Sequence, residues 1–403
     1  MQTLTSKKEL TYLQSLFFLF GFLIMSWIPR FPEVKANLGL SNGQFGSLVS
    51  TSAIGSLISL LTVGHLVHNY GAKTIIRIAV SSIAASLILL TTTHSGFIFL
   101  ISIVVQGGAI SAFHIAINTQ GFSYQDRTKK PVITLLSGFW SSGAVATAMI
   151  SGLLVGHVSL KIHITVLAVG ALLTMLAVIT KMKSVLIKPN KNPSEAYRVS
   201  DLFKGFRIDT LVSGVLLCAL CLEFSVSDWA AIFTKEDMGI NGGVHTLPYI
   251  LFTLAMITGR LFVHKLFDKF TMQRLVTFGA LISGISFLIG LAVVHLVNSS
   301  NKTSILLVLC VSFTFAGLGS SFLAPSIMNI ANVRSNSPAS VVIGQMGVIN
   351  NIAIFFVRLI IAWTAQATSL TIALVIPASL LLLVPFFAKI FPPSVLKLNS
   401  NYQ

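Results

Sequence analysis

Long runs of apolar residues recur down the whole chain, at 10–29, 43–66, 74–93, 97–122, 133–156, 160–180, 209–233, 244–267, 275–297, 304–330, 341–365 and 370–391. Each is close to the roughly 20 residues that a helix needs to cross about 30 Å of hydrocarbon. The pattern predicts an all-α membrane protein of twelve spans. An even number returns the end of the chain to the side where it began. The first run follows a short polar stretch that closes at Glu9 and ends in Trp27-Ile28-Pro29-Arg30, with no small-residue cleavage site. It reads as a retained helix and not as a signal peptide.

The connections between runs set the orientation. Twenty of the 27 Lys and Arg residues fall on the side of the N-terminus, five on the opposite side, and Arg260 and Arg358 inside spans. The positive-inside rule then places both termini in the cytoplasm of a chain that spans the cytoplasmic (inner) membrane. The tally also accounts for the net charge of +16 without a nucleic-acid partner. Composition agrees: 54% of residues are hydrophobic, only 9% are charged, and the mean hydropathy is +0.87. Soluble domains carry about 25% charged residues.

Three regions follow: a six-helix half over 1–180, a basic cytoplasmic linker over 181–208, and a second six-helix half over 209–403 with a short tail. The linker reads as positive-inside retention, with anionic-lipid contact as the alternative. The halves share features at an offset of 200 residues. Gly39-Leu40-Ser41-Asn42-Gly43 opens the second span and Gly239-Ile240-Asn241-Gly242-Gly243 the eighth. A parallel repeat of this kind is a layout of transporters that rock about a midplane site.

Twelve spans, a basic central loop and a short turn after the second span, Gly64 to Lys73, resemble the major facilitator superfamily. Gly64, Gly71 and Lys73 match its turn; His68 replaces the usual aspartate. The second copy keeps Asp268-Lys269, with His264 and Thr271 at the glycine positions. Ser26-Trp27 with Arg30, Gly107–Gly121, Ser137–Gly143, Glu223 with Asp228-Trp229, and Gly259-Arg260-Leu261 resemble more closely the bacterial YbjJ-type group near the fucose-permease branch. That group tends to carry an acid where His114 stands and a histidine where Ser137 stands. The resemblance implies that spans 1, 4, 7 and 10 line a central cavity, and that Gly64, His68, Gly71, Lys73, Arg260 and Asp268 belong to gating turns.

The seventh span carries two acids, Glu223 and Asp228. An ionised carboxylate at mid-bilayer costs about 2.5–3.5 kcal/mol on insertion scales, so an acid there points to function. Five residues apart, the two lie about 140° apart around the axis and about 7.5 Å apart in depth. Both are candidates for proton coupling; Glu223 reads either as the proton carrier or as a carboxyl that stays protonated for good. At its estimated depth Arg358 is either the ion-pair partner of Asp228 or a bidentate clamp on an anionic solute. Arg260 is expected to snorkel or to pair with the turn after its span. His114 and Asn118 share a helical face and, with Trp140, Asn350 and Asn351, are candidates for the substrate cavity. The alternative for His114 and Asn118 is hydrogen-bonded packing between helices.

Further expectations concern packing. Trp27, Trp229 and Trp363 fall at outer ends and suit an aromatic belt. Gly152-Leu153-Leu154-Val155-Gly156 is a GxxxG packing motif, and Pro248 and Pro325 are expected to break helices. Cys218, Cys221 and Cys310 lie in apolar spans and read as structural.

The chain has no P-loop, no clustered metal ligands and no nucleophile with a spaced base on a soluble face. No enzyme activity, cofactor or metal is expected. The sequence points to a secondary transporter of a small polar solute, a sugar or an organic acid, coupled to protons and functional as a monomer. A uniporter or exporter with structural acids is the alternative within transport; a membrane receptor or transferase is the alternative from another class.

Overall fold

The computed structural model describes residues 6–128, 132–182, 186–187, 209–262, 270–296, 301–334 and 339–387. Asp268 and most of the predicted linker lie outside the described residues. Among the described residues there is no strand, and eleven helices are long and apolar enough to cross a membrane. One of these, Asn42–Thr92, is 51 residues long and takes in predicted span 43–66 and all but the last residue of span 74–93. The eleven thus account for all twelve predicted runs.

The chain forms two compact units, Met1–Leu40 with Ser47–Phe206, and Ser41–Gly46 with Arg207–Gln403. The first contains α1 (Ser6–Ile24), α2 (Phe31–Leu38), the last four residues of α3 (Asn42–Ser50), α4 (Ser52–Thr92), α5 (Gly96–Thr128), α6 (Ile133–Leu154) and α7 (Leu160–Lys181). Its tightest contacts pair α4 with α5 and α1 with α6. Both depend on missing side chains. A Cβ at Gly55 would collide with the Val104 carbonyl, and one at Gly143 with the Phe18 carbonyl. Hydroxyls close the same seams: Ser59 Oγ donates to Gly108 O at 2.6 Å, and Ser151 Oγ to Ser26 O. Close approach through small residues, with serine as hydrogen-bonding glue, is how helices associate where apolar burial drives nothing.

The turn predicted between the second and third spans is a local break inside α4. Gly71 has φ 78° and ψ 153°, a conformation that glycine adopts at little cost. The break frees the Ala72 N–H from the helical ladder. It donates instead to the carbonyl of Ile187 at 3.0 Å, while the Ile187 N–H donates to Gln120 Oε1 at 3.1 Å. The residues following α7 are thereby tied across α4 and α5.

The second unit contains α8 (Thr210–Ile232), α9 (Leu247–Phe262), α10 (Met272–Leu296), α11 (Lys302–Ser320), α12 (Leu323–Arg334), α13 (Ala339–Ala367), α14 (Leu370–Leu381) and α15 (Val384–Phe387). Here α9 packs on α11, and α8 on α13. These are the eighth and tenth, and the seventh and eleventh, predicted spans. Their counterparts in the first unit, the second and fourth and the first and fifth, pair in the same way. The 200-residue offset extends into the core: Phe113 and Phe313 are both wholly buried, as are Ala116 and Ala316. Gly39 and Gly239 take matching φ values of 62° and 65°.

Several packing expectations need correction. Trp27 and Trp229 are 5% and 2% exposed, so they fill the interior and do not form a belt. Trp27 packs edge-on against Phe31 at 4.7 Å. Gly156 lies beyond the end of α6 with φ 81° and open space around it, so the GxxxG spacing marks a helix terminus and not a packing groove. Pro248 sits in the first turn of α9, where a missing N–H costs nothing, and begins the helix without breaking it. Pro325 does follow an interruption: α11 ends at Ser320 and α12 begins at Leu323.

Candidate functional site

Helix α8 begins with Asp209, whose carboxylate accepts from the Val212 N–H at 3.1 Å and thereby caps the helix. From that start the helical repeat carries Glu223 and Asp228 onto different faces, and the structure gives each its own arginine.

Asp228, towards the far end of α8, is buried and meets Arg358 of α13. Nη2 donates to Oδ1 at 3.2 Å, and Nε stands 2.7 Å from Oδ2. The Nε contact is close in distance but off the line that a hydrogen bond prefers, so that half of the bridge is Coulombic. The guanidinium also lies over the ring of Phe224, 5.0 Å from its centroid. Of the two sequence readings of Arg358, this geometry corresponds to the ion pair.

Glu223 faces Arg260 of α9, and this pairing departs from the sequence expectation. Arg260 does not turn towards the end of its own helix. Its Nε donates to the Ser321 carbonyl at 2.9 Å, and its Nη2 lies 3.4–3.5 Å from both Glu223 carboxylate oxygens. This buried carbonyl lies in the interruption between α11 and α12. The Glu223 side chain is 26% exposed, against 10% for Asp228. One helix therefore presents a tight, dry ion pair and a loose, wetter one.

Tyr249 on α9 is buried within the same unit. Sequence reasoning missed Tyr249 and Phe224, because apolar or aromatic residues in apolar spans carry no signal of their own. Asn350 and Asn351 lie on α13, but each turns its amide back to its own helix, Asn350 Nδ2 to Met346 O and Asn351 Nδ2 to Gly347 O. Asn350 Oδ1 is buried without a hydrogen-bond partner.

In the first unit, His114 and Asn118 sit on one face of α5 as the spacing predicts, yet they do not form a paired donor set. Asn118 Nδ2 donates to the His114 carbonyl at 2.8 Å. The His114 ring is exposed and stacks 6.3 Å from Phe20. Trp140 is half-buried where α6 crosses α1. Gln106, also on α5, is buried with neither amide atom hydrogen-bonded. The same unit holds an unexpected cluster. Arg30, 1% exposed, grips Glu33 at 2.7 and 2.9 Å, reaches the Val158 carbonyl at 2.8 Å and lies 3.2 Å from His163 Nδ1. The resemblance groups Gly64, His68, Gly71 and Lys73 as a gating turn; they lie within α4, with Gly71 at the break. Among the described residues no group of three or more His, Cys, Asp or Glu could hold a metal.

The profile of the Major Facilitator Superfamily matches residues 13–357. The chain belongs to the Major Facilitator Superfamily. It is 25% identical over 377 residues to an uncharacterized MFS-type transporter of Yersinia pestis, covering 93% of each chain. It is 21% identical to the membrane protein MosC of Rhizobium meliloti, over 67% of this chain and 65% of that one. Among solved structures, a mutant of the nucleoside transporter NupG superimposes with a TM-score of 0.77 at 14% identity, covering 95% of this chain and 100% of that one. A D-xylose-proton symporter gives 0.71 at 15%, covering 97% and 98%. At those identities the likeness shows the fold alone. The protein is thus a multi-pass membrane transporter of small solutes and not an enzyme.

Proposed function

We propose that the protein is a secondary active transporter that moves a small polar solute, a sugar or an organic acid, by alternating access and couples that movement to protons. The two halves over 1–180 and 209–403, joined by 181–208, are its moving parts. It works as a monomer in the bacterial inner membrane with both termini in the cytoplasm, as the charge of the connections indicates.

The observation that carries the reading is the unequal pairing of the two acids on α8. Asp228 is held by Arg358 at 2.7 Å and buried; Glu223 is held by Arg260 only at 3.4 Å and is partly exposed. A carboxylate that can swap a loosely held arginine for a proton suits a group that loads and releases. A carboxylate locked to a buried guanidinium suits a structural or gating pair. His114, Asn118, Trp140, Asn350 and Asn351 are the proposed solute contacts. The names of two structural relatives, a nucleoside transporter and a D-xylose-proton symporter, are in keeping with a hydroxylated solute.

The test is solute-driven proton movement into proteoliposomes, followed with a pH-sensitive dye across a panel of sugars, nucleosides and carboxylates. A solute that moves protons with the wild type, and at least about tenfold less with Glu223→Gln, is the expected result. Solute uptake with no proton signal and no effect of Glu223→Gln would replace the reading with a uniporter.

A further inference from the structure

The second unit holds a cavity of different chemistry, between α9, α10 and the end of α11. Its volume is about 700 Å³, within the range of roughly 300–1,000 Å³ typical of ligand sites. Phe262, Phe270, Phe278, Ile282, Phe315 and Phe322 form its walls. Two hydroxyls also line it, but each gives its proton to its own helix. Thr258 Oγ1 donates to Leu254 O at 2.8 Å and Ser321 Oγ to Leu318 O at 2.7 Å. A sugar or a carboxylate entering here would shed its water and find no side-chain donor left in the wall, which is unfavourable in a hydrocarbon setting. Hydrocarbon pays no such penalty. Five of the six walls are 42–57% exposed, so the cavity opens on the surface of the unit.

The rim supplies charge. Arg274 lies four residues before Phe278 on α10, hence on the same stripe of the helix one turn nearer its start. It is exposed, and it enters none of the ion pairs among the described residues. An apolar slot below an exposed guanidinium complements an anionic amphiphile. We propose that the cavity holds one acyl chain of an anionic phospholipid from the surrounding leaflet, with its headgroup on Arg274. Ser321 belongs to the wall and also carries the carbonyl that anchors Arg260, so the bound chain lies beside the backbone that positions the partner of Glu223.

Tryptophan quenching by brominated lipid tests this in the full-length protein. Phe278→Trp is reconstituted with increasing mole fractions of dibromo-phosphatidylglycerol or dibromo-phosphatidylcholine, and the wild-type emission of the four native tryptophans is subtracted. Half-quenching is expected at about fivefold less phosphatidylglycerol than phosphatidylcholine, the worth of one basic residue at an anionic surface. Arg274→Gln in the same background is expected to bring the two curves together. Phe315→Trp repeats the measurement from the opposite wall and covers a folding failure of the first variant. Equal quenching by both lipids would reduce the cavity to ordinary lipid contact and overturn the proposal. Absence of quenching, or a preference that survives Arg274→Gln, would overturn it as well. No transported solute enters the assay, so its outcome is independent of the proposed transport function.

Discussion

Asp228 and Arg358 are each tolerable in an apolar unit only because the other is present. Removing one partner leaves a bare buried charge, which costs about 3–5 kcal/mol; replacing both with neutral groups removes that penalty. Arg358→Gln is therefore expected to lower the melting temperature of the detergent-solubilised protein sharply, and Asp228→Asn added to it to restore most of the loss. Glu223→Gln should move melting little, since a partly exposed pair at 3.4 Å is worth about 0–1 kcal/mol. A double variant no more stable than Arg358→Gln alone would show that the arginine acts elsewhere. The sequence made the Asp228–Arg358 pair legible because depth along a span is a simple count of residues. It hid the Glu223–Arg260 pair, which depends on where α9 faces and on the break at Ser321, neither of which is written in spacing.

Helix α8 is pinned at its start. Asp209 caps it through the Val212 N–H and also meets Arg334 of α12 at 2.7 Å. Burial pushes the Asp209 carboxyl up, but the hydrogen bonds from the Val212 and Leu211 backbone and from Arg334 outweigh it and hold the carboxyl below its ordinary value. A depressed native value means that the unfolded state binds the proton more readily. The stabilisation is thus present above the unfolded carboxylate value and is lost as pH falls through the native one. Asp209→Ala is expected to cost about 1 kcal/mol at neutral pH, the usual worth of a cap. That deficit should shrink in acid, as the wild type loses the same contribution. A deficit independent of pH, read from melting curves at neutral and acid pH, would assign the loss to packing. Element boundaries were largely legible from apolar runs. The continuity of α4 through Gly71 was not, because a glycine turn signal does not say whether the chain loops out or merely kinks.

At the scale of the molecule, the distribution of basic residues makes a prediction about sidedness. Lys161 and Lys181 are both exposed, at opposite ends of α7. In intact cells, Lys161→Cys is expected to react with a membrane-impermeant maleimide and Lys181→Cys only after permeabilisation. The reverse pattern would invert the topology. Fold class was readable because a bilayer admits few solutions for twelve long apolar runs. The solute was not, because the amides of Asn118, Asn350 and Asn351 turn to their own backbones and display no recognition pattern.

The matching left-handed glycines, Gly39 at φ 62° and Gly239 at φ 65°, carry one more consequence. Their neighbours have drifted apart, Leu40 against Ile240 and Ser41 against Asn241, as side chains do when many shapes serve. A backbone that must turn with positive φ leaves far less freedom, since a side chain there is strained whatever space surrounds it. These two positions therefore hold the correspondence of the halves in the backbone, beside Phe113 with Phe313 and Ala116 with Ala316 in the core. They are a record of duplication kept by torsion angles, readable even where the side chains next to them have changed.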